Sequence, residues 1–368
     1  MAMTTAWTVL GLASMVRATQ SAPKSSLQKA SVTVLKPLAG ADPNLEDNLR
    51  SIFEQDHPSF EVLFGVESAD DPAAPIAERV RACYPHVPSR VVVTSGQDAK
   101  NPKVRNLLGM LPHATHDLCV ISDSNVRTPV DYLSDLVETR EREGAGLVTN
   151  LVAGVGEQDL GAAAECAQLN GFCTPGSCLP TTVGNAAIIG KSILFSQTEL
   201  ERLGGLQKVA DVLAEDFVLG KMYEHAGLRL AVARTIVENV TGRVPITSFF
   251  ARQKRWTALR WRLAPAAFVL EGLTSPLMLL VFAIVMGAPG TTAWAAPWML
   301  ALALLRDVGG WVLLRGLRRA WIPIVILPIK DLVVLAAWAA APFTRTLSWR
   351  GRSLRLGAGT ILYAAAKP

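Results

Sequence analysis

The apolar positions of this chain change character near Pro265. Between residues 30 and 260, short apolar runs alternate with charged blocks, as in a water-soluble domain; beyond Pro265 the runs lengthen and become rich in Trp. In the first region Ser31–Leu35 is a β-branched run and reads as a strand, and Phe60–Val66, Arg90–Val93 and Asp117–Ser122 repeat the signal. Asp42-Pro43 and Asp71-Pro72 each set a capping carboxylate before a proline and predict helix starts, and Val104–Leu111 predicts a short helix ahead of the fourth strand. Strands alternating with helices predict an α/β domain with a mostly parallel sheet. Ligands of such sheets bind at the carboxyl ends of the strands. Further on, Ala186–Gly190 is expected to be another strand, Glu215–His225 a helix, and Ser248–Leu263 a basic helix leading into the apolar part.

The apolar segments differ from one another. Ala6–Val16 falls short of the roughly 20 residues a bilayer span requires, no small-residue cleavage site follows it, and it reads as a short anchor helix. Arg17, Lys24 and Lys29 behind it favour a cytoplasmic side for the domain after them. Gly272–Met286 and Thr292–Leu314 are the clearest spans, the second carrying an Arg306-Asp307 pair. Trp321–Phe343 is interrupted by Pro323, Pro328, Lys330 and Asp331. The uncharged linker after Gly287 should face away from the cytosol. The arginines on both flanks of Trp321–Phe343, Arg315, Arg318 and Arg319 before it and Arg345, Arg350, Arg352 and Arg355 after it, predict that both its ends lie on the cytosolic side. The expectation is therefore a re-entrant or interfacial pair broken near Pro328. The competing reading is a true span with Lys330 and Asp331 paired inside the bundle.

Composition supports this plan. The chain of 368 residues is 50% hydrophobic and 18% charged, too apolar for a soluble domain and too charged for a pure channel. It divides into an N-terminal anchor and linker (1–29), an α/β domain (30–250), an amphipathic interfacial helix (251–264) and a membrane domain with a basic C-terminal tail (265–368). The net charge is +5, and the basic residues cluster at 252–262, 315–319 and 345–355, beside apolar runs. That placement suits anionic lipid headgroups and argues against a nucleic-acid partner. The five cysteines form no CxxC pair, as expected of reduced, buried thiols in a cytosolic setting.

Several short motifs carry candidate chemistry. Asp70-Asp71 and Asp123-Ser124-Asn125 both follow predicted strands. Asp71 also reads as a helix cap, and Asp123 with Asn125 offers carboxylate and amide oxygens of the kind hard cations prefer. Glu215-Asp216 opens a helix, where acids are stabilised by the helix dipole. Arg252 and Arg255 share a helix face with Trp256 adjacent, suiting either a diphosphate or a membrane interface. Asn101-Pro102-Lys103 leads into a helix whose N-terminus can receive an anion, although Lys103 and Arg105 also read as plain surface residues. His113 and His116 have no third ligand nearby in sequence, and Asn239-Val240-Thr241 reads as a chance glycosylation sequon. Glycosyl transfer from a nucleoside diphosphate sugar needs one carboxylate for the base or ribose, one for a cation on the diphosphate, and one to take a proton from the acceptor hydroxyl.

The order Asp-Asp, Asp-x-Asn, Glu-Asp, Arg-x-x-Arg-Trp, then apolar spans, resembles inverting GT-A glycosyltransferases that work at membranes. The run Val34-Leu35-Lys36-Pro37-Leu38-Ala39-Gly40-Ala41-Asp42-Pro43-Asn44-Leu45 is similar to the signature of ceramide glucosyltransferases. Asn48-Leu49, Phe53-Glu54, Glu61-Val62-Leu63, Asp70-Asp71-Pro72-Ala73, Asn101-Pro102-Lys103, Asn106-Leu107 and Trp349-Arg350 extend the similarity over nearly the whole chain. The resemblance implies a GT-A-like α/β domain with C-terminal transmembrane helices, an integral membrane protein whose catalytic domain faces the cytoplasm. It implies transfer of glucose from UDP-glucose to the primary hydroxyl of ceramide with inversion. Asp70 and Asp71 would lie near the uridine, and Asp123, with Asn125, near an Mg²⁺ or Mn²⁺ ion and the diphosphate. Asp216 would be the catalytic base, and Lys36, Lys103, Arg252, Arg255 and Trp256 would contact the nucleotide-sugar.

Two departures matter. The second motif is Asp-Ser-Asn rather than Asp-x-Asp, and the stretch Glu157–Asn185, expected to border the acceptor, lacks the histidine of animal members. Three alternatives arise. One is a related enzyme acting on a hopanoid or other lipid with UDP-N-acetylglucosamine or another UDP-sugar. A processive polysaccharide synthase would need more spans than this chain offers. A catalytically inactive lipid-binding protein would have no use for Asp71, Asp123, Asp216 and Arg255 together.

Overall fold

The computed structural model describes residues 2–20, 30–42, 44–183, 187–285, 289–349 and 352–364. Lys24, Lys29, Pro43, Ala186, Gly287 and Arg350 lie outside them. In chain order the elements are α1 (Ala2–Thr19), β1 (Val32–Pro37), α2 (Leu45–Phe53), β2 (Phe60–Val66), α3 (Ala73–Ala82), β3 (Ser89–Val93), α4 (Pro102–Met110), β4 (Leu118–Ser122) and β5 (Val126–Arg127). They continue with α5 (Tyr132–Glu143), β6 (Ala145–Glu157), α6 (Leu160–Gln168), a π-helical turn (Leu169–Cys173), α7 (Thr174–Cys178), β7 (Ser192–Ser196), α8 (Gln197–Arg202), α9 (Glu215–His225) and β8 (Arg229–Gly242). The apolar part holds α10 (Ile246–Leu263), α11 (Pro265–Thr274), α12 (Pro276–Val285), α13 (Pro289–Arg315) and α14 (Ile322–Ala340), followed by β9 (Thr346–Trp349), β10 (Arg352–Leu356) and β11 (Leu362–Ala364).

The chain forms two compact units. One comprises residues 18–152 and 180–240 and carries the α/β fold. Its sheet has the order β3-β2-β1-β4-β7-β6-β8-β5. β1 pairs in parallel with β2 and β4, and β2 with β3, as the alternation of strands and helices predicts. β1 is buried along its whole length and β2 along nearly all of it, so both read as continuous apolar runs. β7 joins β4 antiparallel, with Ser122 opposite Ser192. The strand expected at Ala186–Gly190 therefore lies a few residues later: Ser192–Ser196 supplies the apolar run that pairs with β4. Thr149 Oγ1 donates to Ile189 O and Ser192 O, fixing the turn before β7. On one face the sheet buries Leu35, Leu63, Leu107, Ile121, Phe195 and Tyr223.

The other unit comprises residues 1–17, 153–179 and 241–368. A boundary drawn at residue 250 misses this interleaving: α6 and the π-helical turn pack with α10, α13 and α14. Small residues permit the approach. A Cβ on Gly310 would collide with Asn170 O, and one on Gly171 with Asp307 Oδ1. On α10, Phe249, Gln253 and Thr257 form a buried stripe at four-residue spacing, and Thr257 Oγ1 donates to Ala337 O at 3.1 Å.

Two expectations about the apolar segments are corrected. Trp321–Phe343 is not a pair broken near Pro328, because α14 runs through that proline as one helix. Its charges need not leave an apolar setting, since Lys330 is paired with Asp307 at 2.9 Å and Asp331 with Arg306 at 3.0 Å. The break falls instead inside Gly272–Met286, where the chain bends by 73° between Pro265–Gly272 and Pro276–Val285. Pro276 has no N–H for the α-helical ladder, and Ser275 before it is extended (φ −78°, ψ 120°). Among the described residues, Ala295–Arg315 and Ile322–Phe343 are long and apolar enough to cross a membrane, and the bent pair makes a third if it counts as one span. The expected basic tail is an antiparallel three-stranded sheet, β11-β10-β9.

Candidate active site

The site forms at the carboxyl end of β4, where Asp123 leaves the sheet. Lys36, expected to contact the nucleotide-sugar, is fully buried instead, and its Nζ donates to Asp123 O at 3.0 Å and Val126 O at 2.9 Å. It ties the Asp-Ser-Asn turn to β1. Burial pushes its pKa down to about 7, against the pull of Asp123. Two further bonds hold the turn: Ser124 Oγ donates to Asp42 Oδ2 at 2.8 Å, and Asn48 Nδ2 donates to Ser124 O at 3.3 Å. α2 starts only at Leu45, so Asp42 braces this turn through its side chain while its carbonyl accepts the Leu45 N–H.

The Asn-Pro-Lys motif has a mechanical explanation. Asn101 Oδ1 caps α4 by accepting from the N–H groups of Lys103 and Val104, and its Nδ2 donates to Val212 O and Glu215 Oε2. Pro102 opens the helix, where its missing N–H has no consequence. Lys103 then points its Nζ at Asp123 Oδ1 (3.0 Å), Glu215 Oε1 (3.2 Å) and Gly190 O (2.6 Å). Gly190 N–H donates to Asp216 Oδ2 at 2.8 Å, and Phe217 N–H donates to Asp216 Oδ1. A side chain at Gly190 would collide with that carboxylate, because its Cβ would lie 2.7 Å from Asp216 Oδ2. Asp123, Lys103 and Asp216 are thus brought together with Glu215, the other acid of the Glu-Asp motif, and with Gly190 and Lys191, which no motif singled out. Lys191 sits just before β7; placing that strand antiparallel to β4 would have set it beside Asp123.

The electrostatics follow from this packing. Burial alone would raise the Asp123 carboxyl, but Lys103 and Lys191 outweigh it and hold the group well below the usual carboxylate range. Burial lowers the Lys103 ammonium, yet the carboxylates of Asp123, Glu215 and Asp216 raise it above an ordinary lysine. Burial raises Glu215, ahead of the opposing pull of Lys103.

The remaining candidate residues make contacts of their own. Asp71 accepts from Gly40 N–H at 3.0 Å and from Ala73 N–H at 2.9 Å, so it satisfies the first N–H of α3 and braces the left-handed turn at Gly40 (φ 74°) after β1. Asp70 is exposed. Arg252, Arg255 and Trp256 lie on α10, in the other compact unit, where Arg252 is ion-paired with the buried Glu165 of α6.

The cation expected at Asp123 and Asn125 can be tested against these contacts. Lys191 Nζ lies 3.0 Å from Asp123 Oδ2 and 2.8 Å from Asn125 Oδ1, bridging the two atoms that would be its ligands. Among the described residues no three His, Cys, Asp or Glu side chains gather as a metal site. The donor set as arranged does not fit a divalent ion.

Comparison with known proteins agrees with the fold and with the family resemblance. The chain is 28% identical over 243 residues to ceramide glucosyltransferase 1 of Caenorhabditis elegans, covering 66% of this chain and 52% of that protein. It is 38% identical over 119 residues to ceramide glucosyltransferase of Komagataella phaffii, covering 31% of this chain and 23% of that protein. The chain thus spans about half the length of the nematode relative, and less of the yeast one. A mannosyltransferase from Pyrobaculum calidifontis, solved in complex with GDP-Man and Mn²⁺, shares the fold with a TM-score of 0.52 at 21% identity, over 93% of this chain and 97% of that one. The profile of Glycosyl transferase family 21 matches residues 1–362, and the chain belongs to that family.

Proposed function

We propose that this chain transfers glucose from UDP-glucose to the primary hydroxyl of ceramide, at a membrane and from its cytoplasmic side. The observation that carries the reading is the meeting of Lys103, Asp123, Glu215 and Asp216 at the end of β4, drawn from three separate chain segments. Similarity to ceramide glucosyltransferases supports the donor and acceptor. The apolar helices support a lipid acceptor that stays in its bilayer.

Asp216 takes the proton of the acceptor hydroxyl as its oxygen attacks the anomeric carbon. The new C–O bond forms on the face opposite the diphosphate, so the configuration inverts. The bond from the anomeric carbon to the β-phosphate oxygen breaks, and its electron pair departs with UDP. The Gly190 and Phe217 N–H groups hold both oxygens of Asp216 in one orientation for this transfer. Asp71, at the start of α3, is read as the carboxylate on the uridine side.

Membranes containing the chain, incubated with labelled UDP-glucose and in parallel with labelled UDP-N-acetylglucosamine, test the reading. Mass spectrometry should find the label from UDP-glucose on ceramide. Label on a different lipid, or only from the second donor, would replace the acceptor or the donor, and no labelled lipid from either would sink the assignment.

A further inference from the structure

Lys191 occupies a cation's position. It lies next to β7, whose antiparallel register sets Ser192 opposite Ser122, and Asp123 N–H donates to Lys191 O at 3.2 Å. Its Nζ is held at 3.0 Å by Asp123 Oδ2 and at 2.8 Å by Asn125 Oδ1. The amide cannot turn its oxygen away cheaply, because Asn125 Nδ2 donates to Asn239 Oδ1 at 2.9 Å. The other oxygen of Asp123 belongs to Lys103 at 3.0 Å. A divalent ion takes oxygen ligands at about 2.0–2.6 Å, so an ion chelated by Asp123 and Asn125 would lie in contact with an ammonium group held by the same two atoms. Like charges that close disfavour one another. Two lysines together carry the same positive charge as one divalent ion.

We propose that Lys191 is a built-in cation: with Lys103, it supplies the counter-charge for the donor's diphosphate that the Mg²⁺ or Mn²⁺ ion implied by the sequence resemblance would otherwise supply. Asp123 and Asn125 then serve to aim lysines rather than to ligate metal. The step asks nothing new of the transfer reaction. As the C–O bond to the diphosphate breaks, the charge gathering on the leaving oxygen is met by two ammonium groups already in place, which do not reorganise. The proposal rests on the reading of this chain as a UDP-sugar enzyme.

The test is UDP binding to the full chain in lipid nanodiscs, by titration calorimetry, with excess EDTA and with Mn²⁺. Wild type should bind UDP with the same affinity, within about twofold, in both conditions. Loss of one charge-assisted contact costs about tenfold to a hundredfold in affinity, so Lys191→Ala should weaken binding by that factor. Mn²⁺ should restore binding in Lys191→Ala, whose vacated Asp123 and Asn125 can now hold it. Lys191→Arg keeps the cation, so its retained binding guards against a folding defect in the alanine variant. Wild-type binding that disappears in EDTA and returns with Mn²⁺ would overturn the proposal and leave the functional reading intact, as would Lys191→Ala binding UDP like wild type. Wild type that binds no UDP in either condition would remove the functional reading, and the proposal with it.

Discussion

Two charge clusters in this molecule use the same chemistry to opposite ends. In the unit that carries α13 and α14, Arg306, Asp307, Lys330 and Asp331 form a closed ring of alternating sign: Arg306 to Asp307 (2.7 Å), Asp307 to Lys330 (2.9 Å), Lys330 to Asp331, and Asp331 back to Arg306 (3.0 Å). Asp307 and Lys330 are 0% exposed, and Gln168 accepts a further hydrogen from Lys330. Every charge in the ring has two ion-pair partners of opposite sign within the ring. In the α/β unit, Glu215, Lys103, Asp123, Lys191 and Asn125 form an open chain instead. There the Asp123 and Lys191 side chains keep 22% and 29% of their surface exposed, so the chain of charges ends at a face that a ligand can reach. A closed, neutral ring makes charges tolerable in an apolar bundle; an open one at strand ends makes them available.

The largest effect is expected at Asp216. Asp216→Asn should lower turnover by about 10²–10⁴-fold, the usual contribution of a general base, with UDP affinity kept within about threefold. Product formation and calorimetry on one preparation read both quantities. Turnover within threefold of wild type would take the base role from Asp216.

In the closed ring the largest expected effect is on stability. Lys330→Met leaves Asp307 and Asp331 to share Arg306, and breaking a buried ion pair in this way costs about 3–5 kcal/mol. Thermal unfolding in detergent should show it, and Lys330→Met combined with Asp307→Leu should recover most of the loss. If the double variant is as unstable as the sum of its single changes, the ring is not a coupled unit.

Gly190→Ala sharpens the picture of the open cluster. Its new methyl would press on Asp216, 2.7 Å from the expected Cβ. Displacing a catalytic group costs up to about a hundredfold in rate; about tenfold in kcat is expected here, with KM for the donor nearly unchanged. A variant whose KM rises while kcat holds would place Gly190 in donor binding instead.

The smallest effect concerns Lys36, whose ammonium is buried under the open cluster. It keeps its proton up to about 7 in the folded chain, against 10.5 for a solvated lysine. Between those values the unfolded chain binds the extra proton, so the contribution of Lys36 to stability rises with pH across that window and is flat below it. The difference in unfolding temperature between wild type and Lys36→Met should therefore shift in favour of wild type from pH 7 towards pH 10. A constant difference would mean that Lys36 titrates normally in the folded protein.

Much of the α/β fold was legible because its signals are local. β1, β2, β3 and β4 lie within a residue or two of their expected bounds, since β-branched runs and strand-ending acids write themselves into adjacent positions. The place of Asp123 just past a strand was legible for the same reason. The bend at Pro276 was equally local, yet a smooth apolar run from Gly272 to Met286 concealed it. Trp321–Phe343 was illegible for a different reason. Arginines on both flanks and charges inside argued against one helix, but Arg306 and Asp307, far off in sequence, neutralise Lys330 and Asp331.

Taken alone, the sequence determined where strands and helices begin, where the chain turns apolar, and which acids stand at strand ends. Each depends on the backbone and burial preferences of neighbouring residues. Only the tertiary structure decided which charges meet. Lys191 reaches Asp123 and Asn125 because β7 runs antiparallel to β4, and residues 153–179 join the apolar unit because Gly161, Gly171 and Gly310 let α6 and its π-helical turn approach the start of α10 and the side of α13 closely. The register between strands and the spacing between helices are properties of pairs of distant segments, and no local pattern encodes them.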